Sequence, residues 1–323
     1  MLRSMPTSVA KHPAARLRGE ALLGRLRGDA AARPDVDPGL AGGLRDWLED
    51  ELSEAVAALP EDAAPVRVSK DAIDQVLVCE AHYQAQRGAR RLGVELVRGT
   101  MVDLLFRQWV TTGAIDDPWS EAVEALRVVA DEEVGAFVER LAPEARVELA
   151  REVEAHAQRI MDSWPVLAPS WMARTQERLT VPLAGGRVLL SGVVDLAIGA
   201  PSAGRASVCI VEVKSGRRRL EHRGDVHLYA LLETLRSGAP PFRVATFYTA
   251  DGEIDVESVG RDALLGALHR VVGGTVRLCR LAAGAAPARA PNPLCAWCAG
   301  LADCAPGRRS VAEHPPGGST PWQ

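Results

Sequence analysis

The sequence predicts an α/β protein in which a mixed central sheet is flanked by helices. The chain has 323 residues, of which 47% are hydrophobic, and this is enough to bury a large core. Up to about residue 178 apolar residues recur at helical spacing, whereas short β-branched runs dominate from there to about residue 214. Helical and strand-like runs then alternate to about residue 281. This order is typical of a sheet covered by helices.

The N-terminal region contains one predicted helix. Residues 2–33 are rich in Arg and Ala and poor in acids, which is typical of a biased, disordered leader, with a transit peptide as the alternative. Apolar residues at helical spacing then predict a helix over Leu40–Leu59, which ends before Pro60. We therefore divide the chain into a partly disordered N-terminal region with one helix (1–65), a main domain (66–305) and a disordered tail (306–323).

The first half of the main domain is predicted to be helical. Ser69 is a plausible N-cap for a helix that runs toward Val78. A second helix is predicted after Gly99 and runs to Gly113. Val, Leu and Ala then recur at three- and four-residue steps among many charged residues, which predicts a helical insertion over about residues 114–165.

The second half of the main domain is predicted to contain the sheet. Three β-branched runs are separated by AGG and GAPSAG turns, and we expect them to be strands of one sheet. A helix, two more strand-like runs and a last helix follow. The predicted strands are Leu179–Leu183, Arg187–Ile198, Ser207–Lys214, Arg243–Thr249 and Ile254–Val259, and the predicted helices are Asp225–Leu235 and Asp262–Leu281.

The net charge of −4 excludes a protein that coats nucleic acid by overall positive charge. Any contact with nucleic acid must come from local basic runs, of which residues 87–98 and 214–223 are the candidates; either run could also be ordinary solvated surface. No run approaches the roughly 20 apolar residues of a membrane helix, and the N-terminus has no apolar core of the secretory type. We expect a cytoplasmic protein without membrane contact.

Three charged residues interrupt two apolar runs of the predicted sheet. Asp195 ends one run, and seventeen residues later Glu212 and Lys214 alternate with valines, which puts both on one face of a strand. Carboxylates from adjacent strands can bind Mg²⁺ or Mn²⁺, as phosphodiester hydrolysis requires, and a lysine can stabilise charge on the phosphate. The alternative is that Asp195 only caps a strand and that Glu212 and Lys214 form a surface ion pair.

The order of these residues resembles the PD-(D/E)XK nuclease superfamily, specifically its RecB-like branch, and this implies a restriction-endonuclease-like core. In that branch a glutamine precedes a tyrosine by four residues on the next helix; here Tyr229 follows Asp225. The run Gly99–Asp103 resembles the family's G-T-x-V-H helix start, with aspartate in place of a metal-binding histidine. The resemblance implies Asp195, Glu212, Lys214 and Tyr229 as catalytic residues, and Asp103, Asp195, Glu212 and Val213 as ligands of Mg²⁺ or Mn²⁺.

Three of the six cysteines form a C-x2-C-x5-C motif near the C-terminus, so their thiolates can converge on one soft metal site. The spacing alone leaves zinc and an iron–sulfur cluster equally open. The motif resembles the iron–sulfur nucleases of CRISPR adaptation and of AddB, in which one cysteine before the core joins three after it. The resemblance implies a [4Fe–4S] cluster held by Cys79, Cys295, Cys298 and Cys304, while Cys209 and Cys279 are expected to be buried thiols.

The sequence therefore predicts a metal-dependent DNA nuclease, either an exonuclease or an end- or flap-processing endonuclease, in repair, recombination or defence. The expected partner is DNA that is single-stranded or has free ends, and a protein partner in a repair or defence complex is also considered. A catalytically inactive nuclease-fold module that binds DNA or a partner is the main alternative, favoured by Asp103 and Asp225. A zinc-stabilised regulatory protein that binds no DNA is the third interpretation.

Overall fold

The computed structural model describes residues 19, 21–22, 24–26, 33–87, 92–129, 131–202 and 204–314. The helices are α1 (Leu40–Ala57), α2 (Lys70–Val78), α3 (Glu80–Gln86), α4 (Val94–Thr112), α5 (Pro118–Val128), α6 (Glu132–Arg140), α7 (Pro143–Ser163), α8 (Glu221–Ser237), α9 (Arg261–Ala282) and α10 (Ala305–Glu313). The strands are β1 (Val66–Val68), β2 (Arg174–Leu183), β3 (Val188–Ile198), β4 (Cys209–Lys214), β5 (Arg243–Tyr248) and β6 (Glu253–Ser258).

The strand β3 organises a mixed sheet of six strands. One edge of β3 pairs with the antiparallel strand β2 along most of its length. The other edge pairs with the parallel strand β1 over Val188–Leu190 and with the antiparallel strand β4 over Leu196–Ile198. Strand β5 pairs parallel with β4, and β6 pairs antiparallel with β5. Residues 191–195 of β3 therefore pair with neither β1 nor β4 on that edge, and we call this segment the β3 gap.

Helices cover both faces of the sheet, and each face has its own core. Helices α1, α2, α8 and α9 pack on one face, where Leu48, Leu231 and Leu268 are fully buried. Helix α4 and the insertion helices pack on the other, where Phe106 and Trp164 meet with ring centroids 5.1 Å apart. Each buried side chain of this size stabilises the fold by about 1.5–3 kcal/mol. The predicted α/β class, with a mixed sheet flanked by helices, is confirmed.

The five predicted strands correspond to β2–β6, and the structure adds β1, which has only three residues. Ser69 caps α2 as predicted, because its Oγ accepts a hydrogen bond from the Ala72 amide. The predicted insertion consists of three separate helices, α5–α7. Helix α4 begins at Val94, before the predicted start at Gly99.

The predicted disordered tail is wrong for its first part, because α10 covers Ala305–Glu313. Pro306 lies in the first turn of α10, where a missing backbone N–H breaks no helical hydrogen bond. Residues after 314, and most of the predicted leader, lie outside the described residues. Among the leader residues that the structure describes, Leu22 and Leu26 are buried in the core that contains α4. No helix in the described part of the chain is long and apolar enough to cross a bilayer.

Candidate functional site

The β3 gap brings the ends of two strands together. Strand β1 runs parallel to β3 and β4 runs antiparallel to it, so both carboxyl ends approach the gap, from opposite directions. The chain enters α2 at Lys70 on one side, and β4 separates from β3 after Val211 on the other. The Asp195 carboxylate occupies the opening, where its Oδ2 accepts a hydrogen bond of 2.8 Å from the Val213 amide.

Asp195 lies within β3 rather than at its end, which corrects the expectation that it ends a strand. The burial pattern of β3 shifts here, since Leu190 and Val194 belong to one core whereas Leu196 belongs to the other. On β2, Gln176 lies opposite Asp195 with a φ of 53°, a left-handed conformation that costs about 1–3 kcal/mol outside glycine. This conformation is a local distortion of the sheet at the Asp195 position.

The distorted Gln176 connects two of the predicted acids. Its Nε2 donates to Asp195 Oδ1 at 3.2 Å and to Asp103 Oδ1 at 3.4 Å. Asp103 comes from α4, so the amide joins the helical layer to the sheet. Asp103 Oδ2 also forms an ion pair of 3.2 Å with Arg107, one turn along the helix.

Two lysines and two acids form a closed ring of ion pairs, which we call the Lys–acid quartet. Lys214 Nζ lies 2.7 Å from Glu212 Oε1 and 3.0 Å from Asp225 Oδ2. Lys70 Nζ contacts the same two oxygens at 3.1 and 3.4 Å. Each lysine therefore bridges the same pair of carboxylates, and the four charges balance. Glu212 and Asp225 are buried, whereas the lysine side chains are 17% and 18% exposed.

The carboxylates differ in the proton affinity that their surroundings impose. Burial raises the pKa of Asp195 well above its ordinary value, and the charges of Glu212 and Asp103 raise it further. Burial would also raise the pKa of Glu212, but Lys214 and Lys70 outweigh it and hold that pKa below its ordinary value. Burial raises the pKa of Asp103, although Arg107 opposes the shift. Asp103, Asp195 and Glu212 therefore lie close enough for the charge of one carboxylate to raise the pKa of another.

A surface groove of about 590 Å³ borders one of these acids, Asp103. The start of α4 forms one wall and the loop after β4 forms the other. Asp103, Val213 and Lys214 line the groove, together with Arg219 and His222. Lys70 does not line it, although Lys70 and Lys214 contact the same carboxylate oxygens. The quartet thus presents one of its two lysines to the groove.

Tyr229 lies on the buried side of the site. Its ring packs against Gly192 in the β3 gap, where a Cβ at position 192 would approach the ring Cε1 to 2.7 Å, so the contact requires glycine. Burial and the charge of Glu212 raise the pKa of Tyr229. Tyr229 is not among the described residues that line the groove, and the predicted catalytic role of Tyr229 stays a prediction.

The sequence predicts that Asp103, Asp195, Glu212 and Lys214 share one site. It does not identify Lys70 or Gln176 as members of that site. The composition of the chain offers one indication for Lys70. Only three of the 38 lysine and arginine residues are lysines, and two of those three, Lys70 and Lys214, lie together in this site. A compact ammonium group can bridge two carboxylates where a planar guanidinium would not fit in the same way. The left-handed Gln176 has no counterpart in the sequence pattern of β2.

The four predicted cluster cysteines come together in a second site. Cys79 lies at the junction of α2 and α3, and the other three lie on short 3₁₀ turns or at their ends between Pro293 and α10. All four line one cavity of about 330 Å³, roughly ten times the volume that one water molecule occupies in the liquid. Cys209 and Cys279 are buried elsewhere, in β4 and α9, as predicted.

The surroundings of the four sulfurs are those of closely spaced thiols. Backbone amides of Ala290 and Asn292 donate to the sulfurs of Cys79 and Cys295 at 3.5 and 3.4 Å. Burial, together with the neighbouring thiols, raises the pKa of Cys298. A Cβ at Gly307 in α10 would lie 3.1 Å from the Cys304 sulfur, so the helix packs closely against the cavity. In the described part of the chain, no three Asp, Glu, His or Cys side chains are already arranged around a single metal position.

Comparison with known proteins gives likenesses of fold only. No family model matches the chain, and no curated protein matches it. The crystal structure of a "putative exonuclease" from Eubacterium rectale is 15% identical, and the match covers 80% of this chain and 91% of that protein with a TM-score of 0.49. The structure of SSO0001 is 12% identical, with 82% and 96% coverage and a TM-score of 0.34. The function is therefore inferred from the residues of the site.

Proposed function

We propose that the protein is a divalent-metal-dependent nuclease that hydrolyses phosphodiester bonds in DNA. One observation carries the proposal: Asp103 and Lys214 line an open groove, and Asp195 and Glu212 from neighbouring strands lie close enough to Asp103 for the charges of Glu212 and Asp103 to act on Asp195. The sequence resemblance to the RecB-like PD-(D/E)XK nucleases supports the same assignment of residues. The fold likenesses are compatible with it but carry no part of the argument.

The donor set fits a hard divalent cation. The charges of Glu212 and Asp103 raise the pKa of Asp195, and a bound cation would lower the raised pKa values of Asp195 and Asp103. The acids of the described part of the chain are not already arranged around one metal position, so a bound cation would have to draw these three together. Mg²⁺ or Mn²⁺ held by Asp103, Asp195, Glu212 and the Val213 backbone would neutralise phosphate charge and lower the pKa of an attacking water. Gln176 and the Val213 amide hold the Asp195 carboxylate in place through one hydrogen bond to each oxygen.

Lys214 is the residue best placed to contact the phosphate. The quartet fixes its ammonium group between Glu212 and Asp225, so its position is set before substrate arrives. A fixed positive charge at the groove wall stabilises the negative charge that develops on the phosphate oxygens. Asp225, which replaces the family's glutamine, has a defined partner in each lysine, and this weakens the case for an inactive module.

Cleavage of end-labelled DNA by anaerobically purified protein tests the proposal. We expect single-stranded or free-ended DNA to be cut in Mg²⁺ or Mn²⁺, not in EDTA, and not by Asp195→Asn. The paired experiment is binding of the same DNA by anisotropy, which Asp195→Asn should retain. Wild-type protein that binds DNA without cutting it in either metal would contradict the nuclease and favour the inactive binding module.

Replacing Asp103 by histidine tests whether Asp103 is a metal ligand. Imidazole suits Mn²⁺ better than Mg²⁺, whereas carboxylate suits both, so Asp103→His should raise the ratio of Mn²⁺- to Mg²⁺-supported cleavage by about tenfold. Glu124→Gln is the control, because Glu124 is an exposed acid that pairs with Arg127 on α5 and is not among the residues that line the groove. An unchanged ratio would mean that Asp103 only pairs with Arg107 and Gln176.

We also propose that Cys79, Cys295, Cys298 and Cys304 hold a [4Fe–4S] cluster with a structural role. Thiolate ligands, amide donors to two of the sulfurs and a cavity much larger than one ion support this assignment. The sequence resemblance favours iron–sulfur over zinc. The expected roles in repair, recombination or defence, and a protein partner there, stay predictions.

A further inference from the structure

A basic loop separates the catalytic groove from a second groove. The loop joins β4 to α8 and carries Arg217, Arg218 and Arg219 directly after Lys214 and two small residues. Arg217 and Arg219 line the catalytic groove, and Arg218 and Arg219 line the second groove. We call this loop, residues 215–220, the basic ridge. Because Arg219 borders both grooves, a nucleic-acid strand that passes from one groove to the other stays in contact with positively charged side chains along its path.

The second groove has a volume of about 540 Å³ and lies between the ridge, the start of α8 and the strands β5 and β6. Four arginines line it, and they face two acids, Asp255 and Glu257. Arg218 lies 3.2 Å from Asp255 and 5.1 Å from the centre of the Tyr248 ring. Arg223 pairs with Glu257 at 2.7 Å. The described lining therefore retains a surplus of positive charge, which suits phosphates.

The ridge ends in an apolar side chain that faces solvent. Leu220 is 92% exposed, the most exposed large hydrophobic residue in the described part of the chain. Single exposed apolar residues are ordinary on protein surfaces, so exposure alone has no meaning. Leu220 differs by its position, because it follows three arginines on a ridge between the two grooves. In such an arrangement the apolar side chain can pack against the face of a base, while the guanidinium groups beside it bind phosphates.

We propose that one DNA strand runs from the catalytic groove across the basic ridge into the second groove, and that Leu220 packs against the base pair at a junction between duplex and single strand. This inference rests on the nuclease function proposed above and names its substrate class, which is DNA with a forked or flapped end. The arginines hold the phosphates of the single strand on both sides of the ridge. Leu220 acts as a wedge that separates that strand from the duplex.

Junction unstacking can be measured without cleavage. Forked DNA with 2-aminopurine at the first paired position is mixed with Asp195→Asn protein, which is expected to bind DNA without cutting it. We expect fluorescence to rise on binding, and the rise to disappear when Leu220→Ala is added to the same background. Val128→Ala is the matched control, because Val128 is 77% exposed on an insertion helix far along the chain. An equal rise with and without Leu220 would overturn the wedge.

Cleavage gives a second readout of the wedge. In otherwise wild-type protein, Leu220→Ala should lower the ratio of forked to single-stranded cleavage by about tenfold, because the leucine no longer offsets the cost of unstacking a base step. Val128→Ala should leave that ratio unchanged. Cleavage with an unchanged ratio in Leu220→Ala would leave the nuclease standing and remove the wedge. Unstacking that depends on Leu220, in a protein that does not cut DNA, would retain the wedge and contradict the nuclease function.

The path of the strand is tested by the salt dependence of binding. Arg223 lines the second groove, and Arg127 on α5 has the same 69% side-chain exposure and also pairs with a glutamate. On single-stranded DNA, Arg223→Gln should reduce the slope of log affinity against log salt by about 0.7, the value for one phosphate contact. Arg127→Gln should leave the slope unchanged. An unchanged slope in Arg223→Gln would exclude the second groove from the path.

Discussion

Replacing Lys214 by alanine should lower DNA cleavage at least about 100-fold more than replacing Lys70 by alanine, which is the scale of losing one group that stabilises transition-state charge. The two lysines contact the same oxygens of Glu212 and Asp225 and are almost equally exposed. Of the two lysines, only Lys214 lines the groove in which we propose that the phosphate binds. Each variant therefore removes the same two ion pairs from the quartet, and the two variants differ in whether the lost lysine lines the groove.

The stability of the two variants provides the control. Either substitution leaves Glu212 and Asp225 buried with one cation instead of two, and removing one partner of a buried pair costs about 3–5 kcal/mol. Denaturant unfolding should therefore give similar losses for Lys70→Ala and Lys214→Ala. DNA binding by anisotropy should persist in both. Equal losses of cleavage at equal stability would mean that both lysines only position the acids, and the role proposed for Lys214 would be wrong.

The sequence predicts the sheet well where the pattern of apolar residues is local. Strands β2–β6 are marked by β-branched runs between turns, and each forms near its predicted place. Strand β1 has three residues, too few for an alternation to be recognised. The β3 gap depends on β1, which lies more than a hundred residues before β3 in the chain. A feature made by such distant pairing leaves no local pattern to read.

The candidate site shows the same division. Glu212 and Lys214 follow from the alternation of β4, and Asp195 follows from its place in an apolar run. Gln176 could not be predicted, because its left-handed backbone reflects the distortion opposite Asp195 and not a preference of glutamine. Lys70 was identifiable only through the chain's strong preference for arginine. Tertiary contact decides which of these polar residues face one another.

Replacing Cys298 by serine should remove the proposed cluster and destabilise the fold. We expect anaerobically purified wild type to carry about four iron atoms per chain with broad visible absorbance, and Cys298→Ser to lose both. Binding energy at a structural metal site is also folding energy, so the midpoint of thermal unfolding should fall by at least about 5 °C. Cys279→Ala is the matched control, because Cys279 is buried in α9 away from the cavity and should keep its iron.

The geometry also predicts how loss of the proposed cluster affects the candidate site. Helix α2 begins at Lys70, a member of the quartet, and Cys79, a proposed cluster ligand, is its C-cap. The cluster would thus anchor the far end of the nine-residue helix that supplies one of the two lysines. Cys79→Ser should therefore lower cleavage by the same factor as Lys70→Ala, and adding it to Lys70→Ala should lower cleavage little further. Additive losses would separate the two sites, and zinc in place of iron would retain the anchor while overturning the iron–sulfur assignment.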